Sequence, residues 1–222
     1  MIEGYEIFKN KVIKQIDPKP FVYDEKYVED RYDTYGIECD KMSNLRLGYI
    51  VGTTGGLPTS VLDIGYGNGS FLKICKEGNI KTFGTDVSNY GLKHGEFVEF
   101  DDIFNKTFDV ITMFDSMEHF HDLEFLKKLN CKYLCISVPL CHYNNIYYDN
   151  AIAGDKYFTE WKHRRPDEHI WHFDSRSLIK FMKEHGYKNI AHGTVEDVIR
   201  KPTDGRPNIL TAVFKKSGSL FS

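Results

Sequence analysis

From Ser60 onward, short apolar runs alternate with amphipathic stretches along the chain. A short apolar run predicts a buried strand, whereas apolar residues three and four positions apart predict one face of a helix. Strands that alternate with helices need crossover connections, which produce a mainly parallel sheet. The pattern therefore indicates an α/β fold, with a Rossmann-like, doubly wound sheet between flanking helices. The predicted strands are 61–64, 82–85, 97–100, 108–114 and 133–138, with closing candidates near 195–199 and 209–214.

The same pattern predicts three helices around these strands. The first follows residue 69 and ends at Gly78, which suits the left-handed conformation. The second lies between the fourth and fifth strands, and the third begins at Asp174 or Ser175 and ends at Gly186. Their inward faces carry Phe71, Leu72, Ile74 and Cys75, then Leu123, Leu126 and Leu129, then Leu178, Ile179 and Met182.

Two segments lie outside this alternation. Residues 1–58 are rich in tyrosine and contain a helical stretch at 40–51, so they are predicted to form a helical cap within the same domain as residues 59–222. A polar and aromatic loop runs from Pro139 to Asp174. Loops of this length inside a compact domain are usually functional, so we expect this loop to contribute to a binding site.

Composition is that of a folded protein, and 222 residues suffice for one domain with a sizeable core. Hydrophobic residues make up 41% and charged residues 27%, which argues against disorder over most of the length. A net charge of -3 argues against a general nucleic-acid binder, which carries a basic face. The five cysteines are odd in number and unevenly spaced, as expected for reduced thiols. Residues 1–20 contain no apolar run typical of a signal peptide or membrane span, so we expect a cytoplasmic protein.

The first predicted strand runs into a turn with three glycines, Gly65, Gly67 and Gly69. Glycine lets the backbone approach a ligand closely and take dihedral angles closed to other residues. A nicotinamide or flavin fingerprint has the same logic but needs a glycine where this chain has Ser70. Asp63 would repel a pyrophosphate and suits a cofactor with a positive amino group. The turn therefore favours such a cofactor over a dinucleotide.

The second predicted strand ends at Asp86, one crossover helix after the glycine turn. A carboxylate at this place can accept hydrogen bonds from both hydroxyls of a ribose. Taken alone, Asp86 would as readily be a turn or helix-cap residue. Together with the glycine turn, it indicates a cofactor that contains a nucleoside.

These residues resemble the class I S-adenosylmethionine-dependent methyltransferases, in particular the small-molecule enzymes with a D-x-G-x-G-x-G first motif. The match runs from about residue 60 to residue 186, and residues 84–88, 108–119, 136–139 and 169–173 are similar to later motifs of the family. The resemblance implies S-adenosylmethionine as cofactor and a methyltransferase domain at 59–222. It gives no substrate, since the first fifty residues match no part of the family.

The same resemblance assigns each part of the cofactor to residues at the strand ends. The assigned residues are Asp63 with the backbone of Gly65 and Gly67 for the methionine part, Asp86 for the ribose, Val87 with Asp102 or, alternatively, Asp101 for the adenine, and Phe114 and Asp115 beside the sulfonium.

Methyl transfer from a sulfonium is an in-line displacement with an uncharged leaving group, so alignment supplies about 7 to 11 kcal/mol at best. An alcohol acceptor must also lose a proton, and a positioned base adds about 10² to 10⁴ in rate. His169 is the first candidate, because its loop would cover the carboxyl ends of the strands. His119, after the fourth strand, is the second. For each histidine, a structural role with satisfied hydrogen bonds is the alternative.

The densest basic run, residues 162–165, lies in the long loop next to Trp161. Arg164 and Arg165 would suit a phosphate of the acceptor. Trp161 would stack on its sugar or base or, alternatively, would only anchor the loop. His172 is a further candidate, for substrate binding or as the base. A solvated surface loop is the alternative. No metal is predicted.

Several potential metal ligands lie close together in sequence at 118–122, but this does not predict a metal site. Glu118, His119, His121 and Asp122 contain suitable ligand atoms, but ligands clustered in sequence need not converge in space.

Together these observations favour an O-methyltransferase for a small hydroxylated acceptor, such as a sugar or nucleotide sugar of a glycan pathway. An N-methyltransferase for a nucleotide sugar or nucleotide, and a non-catalytic S-adenosylmethionine-binding partner subunit, are the alternatives. Ser70 and Asp63 disfavour a nicotinamide oxidoreductase. The expected partner is a small molecule, phosphorylated or sugar-containing, rather than nucleic acid or a membrane, and a homo-oligomer is left open.

Overall fold

A seven-stranded sheet lies at the centre of the computed structural model, which describes residues 2–23, 27, 36–87, 92–144, 154–202 and 205–218. Within these residues the strands are β1 (Tyr5–Ile7), β2 (Ile13–Gln15), β3 (Ser60–Ile64), β4 (Lys81–Thr85), β5 (Glu96–Phe97), β6 (Phe108–Phe114), β7 (Cys131–Pro139), β8 (Trp171–His172), β9 (Tyr187–Gly193) and β10 (Ile209–Lys216). The helices are α1 (Gly36–Thr54), α2 (Ser70–Glu77), α3 (Gly154–Glu160), α4 (Ser175–Glu184) and α5 (Asp197–Arg200). Short 3-10 helices cover Phe100–Asn105, Met117–His119 and Glu124–Lys128.

The strand order across the central sheet is β5-β4-β3-β6-β7-β10-β9. The five strands from β5 to β7 are parallel, and β10 runs antiparallel to both β7 and β9. The prediction of an α/β fold with a mainly parallel sheet is confirmed. The strand order reverses direction at β3, which pairs with β4 on one side and β6 on the other. Open sheets bind ligands at the carboxyl ends of the strands at such a point.

Both faces of the central sheet are covered by apolar side chains. On one face, Val61 packs in a cluster with residues of α1 and α2, including Ile50 and Leu72. On the other face, Leu62 packs in a cluster with Leu178 of α4. Successive residues of a strand point to opposite faces, so a strand covered on both sides needs a continuous apolar run. This is why the sequence indicated these strands.

The N-terminal segment contains a β-hairpin in addition to the predicted helix. β1 and β2 pair antiparallel, and β2 pairs with β8 in a second, three-stranded sheet. The helical stretch predicted at 40–51 is confirmed as part of α1. The hairpin was not predicted, because strands of three residues are too short to show a periodic pattern.

The end of α2 and the type of the helix before β7 differ from their predictions. Gly78 follows α2 with a φ of -78°, and the residue in the left-handed conformation is Asn79, with a φ of 59°. The predicted helix before the fifth strand is a 3-10 helix, Glu124–Lys128, although its leucines are buried as expected. Only Leu129 and Asn130 separate this 3-10 helix from β7, which begins at Cys131.

Two strand predictions are corrected as well. The strand predicted at 97–100 is the shorter β5, because Phe100 already begins a 3-10 helix. The strand predicted at 195–199 is wrong, because residues 197–200 form α5 and Val198 is 70% exposed. The edge strand is β9, in which mainly alternate residues are covered. The final strand, predicted at 209–214, is confirmed as β10.

The loop between Pro139 and Asp174 contains α3 and β8, and its residues 145–153 lie outside the described residues. Leu140 forms a parallel bridge with Phe173, which fixes the end of the loop against β7. Asp174 caps α4 as predicted, since its Oδ1 accepts a hydrogen bond from the Ser177 backbone N–H at 2.7 Å. Among the helices of the described ranges, none has the length and apolar character that crossing a membrane requires.

Candidate active site

The glycine turn after β3 has the backbone geometry that its sequence predicts. Gly65, Gly67 and Gly69 all have positive φ angles, of 80°, 55° and 73°. A Cβ atom on Gly65 would lie 2.6 Å from the Cβ of Ser116, which is closer than two carbon atoms can approach. The Ser116 hydroxyl donates a hydrogen bond to the Ile64 carbonyl oxygen at 2.7 Å. The turn after β3 is thus pressed against the turn after β6, and only glycine fits at position 65.

Asp63 lies at the end of β3 with its carboxylate buried beside the glycine turn. Its side chain is 3% exposed and accepts a hydrogen bond from the Thr112 hydroxyl at 2.7 Å. Burial raises the pKa of Asp63 to about 6, because the hydrogen bond from Thr112 and the charge of Arg46 offset only part of the desolvation. The nearby Asp86 carboxylate raises this pKa further.

Asp86 lies just after β4 and contacts the glycine turn directly. Its Oδ2 accepts a hydrogen bond from the Gly67 backbone N–H at 3.0 Å. Val87 is 81% exposed, and Asp101 and Asp102 are exposed on the 3-10 helix Phe100–Asn105. Residues 88–91, which follow Val87, are outside the described residues. The contacts assigned to the ribose and adenine therefore stay predictions.

A cavity of about 1060 Å³ opens at the carboxyl ends of the central strands. Its lining includes Asp63 and Gly65 at the glycine turn, and also Glu118 and His169. Phe114 and Asp115, predicted beside the sulfonium, lie in the same wall. The cavity therefore joins the predicted cofactor turn to the predicted catalytic histidine.

Four charged side chains form an ion network, of which Arg46, Asp115 and Arg200 line this cavity and Glu196 lies buried beside them. Arg46 of α1 contacts Glu196 at 2.8 Å and Asp115 at 3.0 Å. Arg200 of α5 also pairs with both carboxylates. The two arginines hold the pKa of Asp115 well below its usual range, although burial acts in the opposite direction. The Arg46 guanidinium lies over the Phe114 ring, 4.2 Å from its centroid.

Most of this network could not be predicted from local sequence patterns. Arg46 and Glu196 are separated by most of the chain, and Arg200 directly follows the segment 195–199 that was predicted as a strand. The two arginines balance the charges of the two carboxylates, so the network as a whole is neutral. Asp115 was predicted from the family resemblance, but its arginine partners were not.

The two predicted catalytic histidines are brought together by the fold. The rings of His119 and His169 are perpendicular, with centroids 4.8 Å apart, and Glu118 lies beside them. His169 is 3% exposed, and its Nδ1 is 2.8 Å from the His163 carbonyl oxygen. Since a carbonyl oxygen only accepts, Nδ1 carries the proton and Nε2 has the lone pair. Burial lowers the pKa of His169 to about 4, so the ring is neutral near pH 7.

Of the four residues predicted to bind substrate, Arg165 lines the cavity and pairs with Glu168 at 2.9 Å. Trp161, Arg164 and His172 instead pack in an aromatic cluster with the N-terminal hairpin. The centroids of His172 and Trp161 are 5.8 Å apart, and the Arg164 guanidinium lies 5.2 Å from the centroid of Tyr5. These three side chains stabilise the loop and lie outside the wall of this cavity.

The chain belongs to the methyltransferase-domain family, since the model of that family matches residues 44–192. The resemblance to class I S-adenosylmethionine-dependent methyltransferases that the glycine turn indicated is thereby confirmed. No curated protein sequence matches the chain significantly.

Solved structures with low sequence identity share the fold. An S-adenosylmethionine-dependent methyltransferase from Clostridium acetobutylicum is 14% identical with a TM-score of 0.57, over 87% of this chain and 98% of that chain. Magnesium protoporphyrin IX methyltransferase from Synechocystis is 14% identical with a TM-score of 0.55, over 90% of each chain. The 1,6-didemethyltoxoflavin-N1-methyltransferase from Burkholderia thailandensis is 14% identical with a TM-score of 0.53, over 96% of this chain and 99% of that chain.

The contact between Gly65 and Ser116 predicts that Gly65→Ala weakens cofactor binding. The added Cβ must push the two turns apart, in addition to straining a residue with positive φ. Gly55→Ala is the matched control, because Gly55 has a φ of 84° but no atom within 4 Å of an added Cβ. In calorimetric titrations with S-adenosylhomocysteine, Gly65→Ala should lose at least about tenfold in affinity, or about 1.4 kcal/mol. Equal affinities of the two variants would contradict the prediction.

Proposed function

We propose that this methyltransferase transfers the methyl group of S-adenosylmethionine to a hydroxyl oxygen of a small acceptor, such as a sugar or a nucleotide sugar. The observation that carries this proposal is that one cavity is lined by two chemically different groups of side chains, which we assign to its donor end and its acceptor end. The end at Asp63 and Gly65 suits the methyl donor, and the end at Glu118 and His169 suits an acceptor that must lose a proton.

The donor end fits the methionine part of S-adenosylmethionine. The buried Asp63 carboxylate would accept hydrogen bonds from the positive amino group, and Gly65 leaves space for close approach to the backbone. Asp86 would bind the ribose, with Val87 and Asp102 beside the adenine. The neighbours from Synechocystis and Burkholderia thailandensis hold S-adenosylhomocysteine in the same fold, which supports this placement. When bound, the cofactor supplies a methyl group on a positively charged sulfur.

The ion network suits a positively charged donor. An unpaired arginine in this wall would repel a sulfonium, because the low dielectric of a cavity strengthens the interaction. Arg46 and Arg200 each pair with Asp115 and Glu196, so their charge is compensated. The Phe114 ring at the end of β6 would then pack against the cofactor, held from behind by Arg46.

The acceptor end offers groups that assist the loss of a hydroxyl proton. His169 is neutral near pH 7 with its lone pair on Nε2, and His119 and Glu118 lie beside it. Alignment of the hydroxyl oxygen with the methyl group supplies most of the rate, and assistance in proton removal adds about 10² to 10⁴. Of the two arginines predicted to contact a phosphate, Arg165 would make this contact, since it lines the cavity. Arg164 lies outside the cavity wall and packs on the ring of Tyr5.

Labelled methyl transfer tests the proposal. We expect the label of S-adenosylmethionine to enter a small molecule as a methyl ether when the chain is incubated with fractionated metabolites, nucleotide sugars first. His169→Ala should lower turnover about 10²-fold or more without changing the affinity for S-adenosylhomocysteine. His192→Ala, at an exposed residue of β9, is the control and should keep full activity. An N-methylated product, or no product in any fraction, would contradict the proposal.

The pKa of Asp63 predicts how cofactor affinity depends on pH. Because burial raises this pKa to about 6, the carboxylate takes up a proton as the pH falls through 6 and no longer attracts the amino group. The affinity for S-adenosylhomocysteine should therefore fall by up to about tenfold per pH unit below 6. Asp63→Asn keeps the shape without the charge, so its affinity should be about 1 to 3 kcal/mol weaker and independent of pH between 5 and 7, taken as rough limits. Equal pH profiles for the two proteins would contradict the role of Asp63.

A further inference from the structure

The end of the cavity at Glu118 is held together by contacts between two distant segments. The 3-10 helix Met117–His119 follows β6, and the segment with His169 precedes β8. The Ile170 backbone N–H donates to the Glu118 carbonyl oxygen at 2.8 Å, and the Trp171 indole N–H donates to the Phe120 carbonyl oxygen at 2.7 Å. These bonds dock the second segment on the first and bring three potential ligand side chains to one place.

A carboxylate oxygen of Glu118 and one ring nitrogen each of His119 and His169 lie within 4.8 Å of one another. His119 Nε2 is 3.9 Å from Glu118 Oε1. Glu118 is 1% exposed and His169 is 3% exposed, so these groups are largely removed from bulk water. Two imidazoles and a carboxylate form a common ligand set for divalent transition metals.

Hydrogen bonds orient both histidine rings through their Nδ1 atoms. His169 Nδ1 is 2.8 Å from the His163 carbonyl oxygen, and His119 Nδ1 is 2.7 Å from the Tyr23 hydroxyl oxygen. Of the two nitrogens of His119, Nε2 is the one that lies 3.9 Å from Glu118 Oε1. Histidines that bind metals usually have this arrangement, in which the other ring nitrogen is fixed by a carbonyl or polar oxygen.

We propose that Glu118, His119 and His169 bind a divalent transition-metal ion, such as Mn²⁺, Co²⁺ or Zn²⁺, at the acceptor end of the cavity. Two imidazole ligands favour these ions over Ca²⁺ and Mg²⁺, which prefer oxygen. Ligand atoms around one ion are about 3 Å apart, so the three side chains must close by roughly 1 to 2 Å when the ion binds.

The role of the ion rests on the proposed O-methyltransferase function. Three protein ligands leave coordination positions that face the cavity, where the hydroxyl oxygen of the acceptor would bind. Coordination favours release of the hydroxyl proton to solvent. The oxygen lone pair then forms the bond to the methyl carbon while the electrons of the carbon–sulfur bond pass to sulfur. The products are the methyl ether, S-adenosylhomocysteine and one proton, and the histidines act through the ion rather than as bases.

This site differs from the cluster of potential ligands that lie close together in sequence at 118–122. No metal was predicted from the sequence, because Glu118, His119, His121 and Asp122 need not converge in space. His121 and Asp122 are indeed exposed and lie outside the cluster. The third ligand comes instead from His169, in a segment that only the fold brings close to Glu118.

Metal binding can be measured without cofactor or acceptor. The full chain is freed of metal with a chelator, and Co²⁺ is added while its visible absorption and the heat of binding are recorded. We expect one Co²⁺ per chain, and about tenfold or more loss of affinity in Glu118→Gln and in His119→Gln. His121→Gln is the matched control, because this exposed histidine lies two residues away, and it should bind Co²⁺ as the native chain does.

Two results of the Co²⁺ titration would overturn the proposal. One is the absence of a stoichiometric Co²⁺ site, and the other is an equal Co²⁺ affinity of Glu118→Gln and His121→Gln. Unchanged binding of S-adenosylhomocysteine by each variant shows that it is folded. If the native chain binds S-adenosylhomocysteine and forms a methyl ether at full rate in excess chelator, the metal proposal fails while the proposed function stands. If Co²⁺ binds as expected but no methyl ether forms, the proposed function fails and the metal site stands.

Discussion

The pairing of Arg46 with Glu196 and Asp115 is the interaction on which the rest of the site depends. Charges removed from water are tolerated only when opposite charges and hydrogen bonds compensate them, and loss of one partner leaves an uncompensated charge. Glu196 is fully buried, so it requires Arg46 and Arg200 at its side. Because Arg46 belongs to α1 and Arg200 to α5, this requirement holds both helices against the carboxyl end of β6.

The same requirement explains how one cavity has two chemically different ends. At the donor end, Asp63 keeps a partly compensated carboxylate, which suits a positive amino group. Between the ends, the neutral ion network leaves no excess positive charge beside a sulfonium. At the proposed acceptor end, the neutral ring of His169 and the buried Glu118 side chain suit an acceptor group that loses a proton. They also suit a cation that assists the loss of this proton.

The parts of the fold that could be predicted are those whose signal is local. The glycine turn and Asp63 follow one another within a few residues, and a strand buried on both faces shows a continuous apolar run. Asp86 could be predicted because a crossover helix has a nearly fixed length. β1 and β2 are too short for a periodic pattern, and β9 is an edge strand with few apolar residues.

The parts that could not be predicted depend on contacts between distant segments. Nothing in the spacing links Arg46 to Glu196, or Glu118 to His169, since each pair is formed by the docking of a loop or helix on the sheet. In the long loop, residue type alone did not distinguish side chains that pack within the fold from candidates for substrate contact. Trp161 and His172 were predicted to contact substrate, but aromatic packing with the N-terminal hairpin uses both side chains.

The most direct test of the donor site is a crystal structure of the chain with S-adenosylhomocysteine. We expect the amino group of the ligand to donate hydrogen bonds to the Asp63 carboxylate, and the ribose hydroxyls to donate to Asp86, with the sulfur near Phe114. A ligand bound elsewhere, or bound with its amino group away from Asp63 and its ribose away from Asp86, would contradict the assignment of the glycine turn as the methyl-donor site.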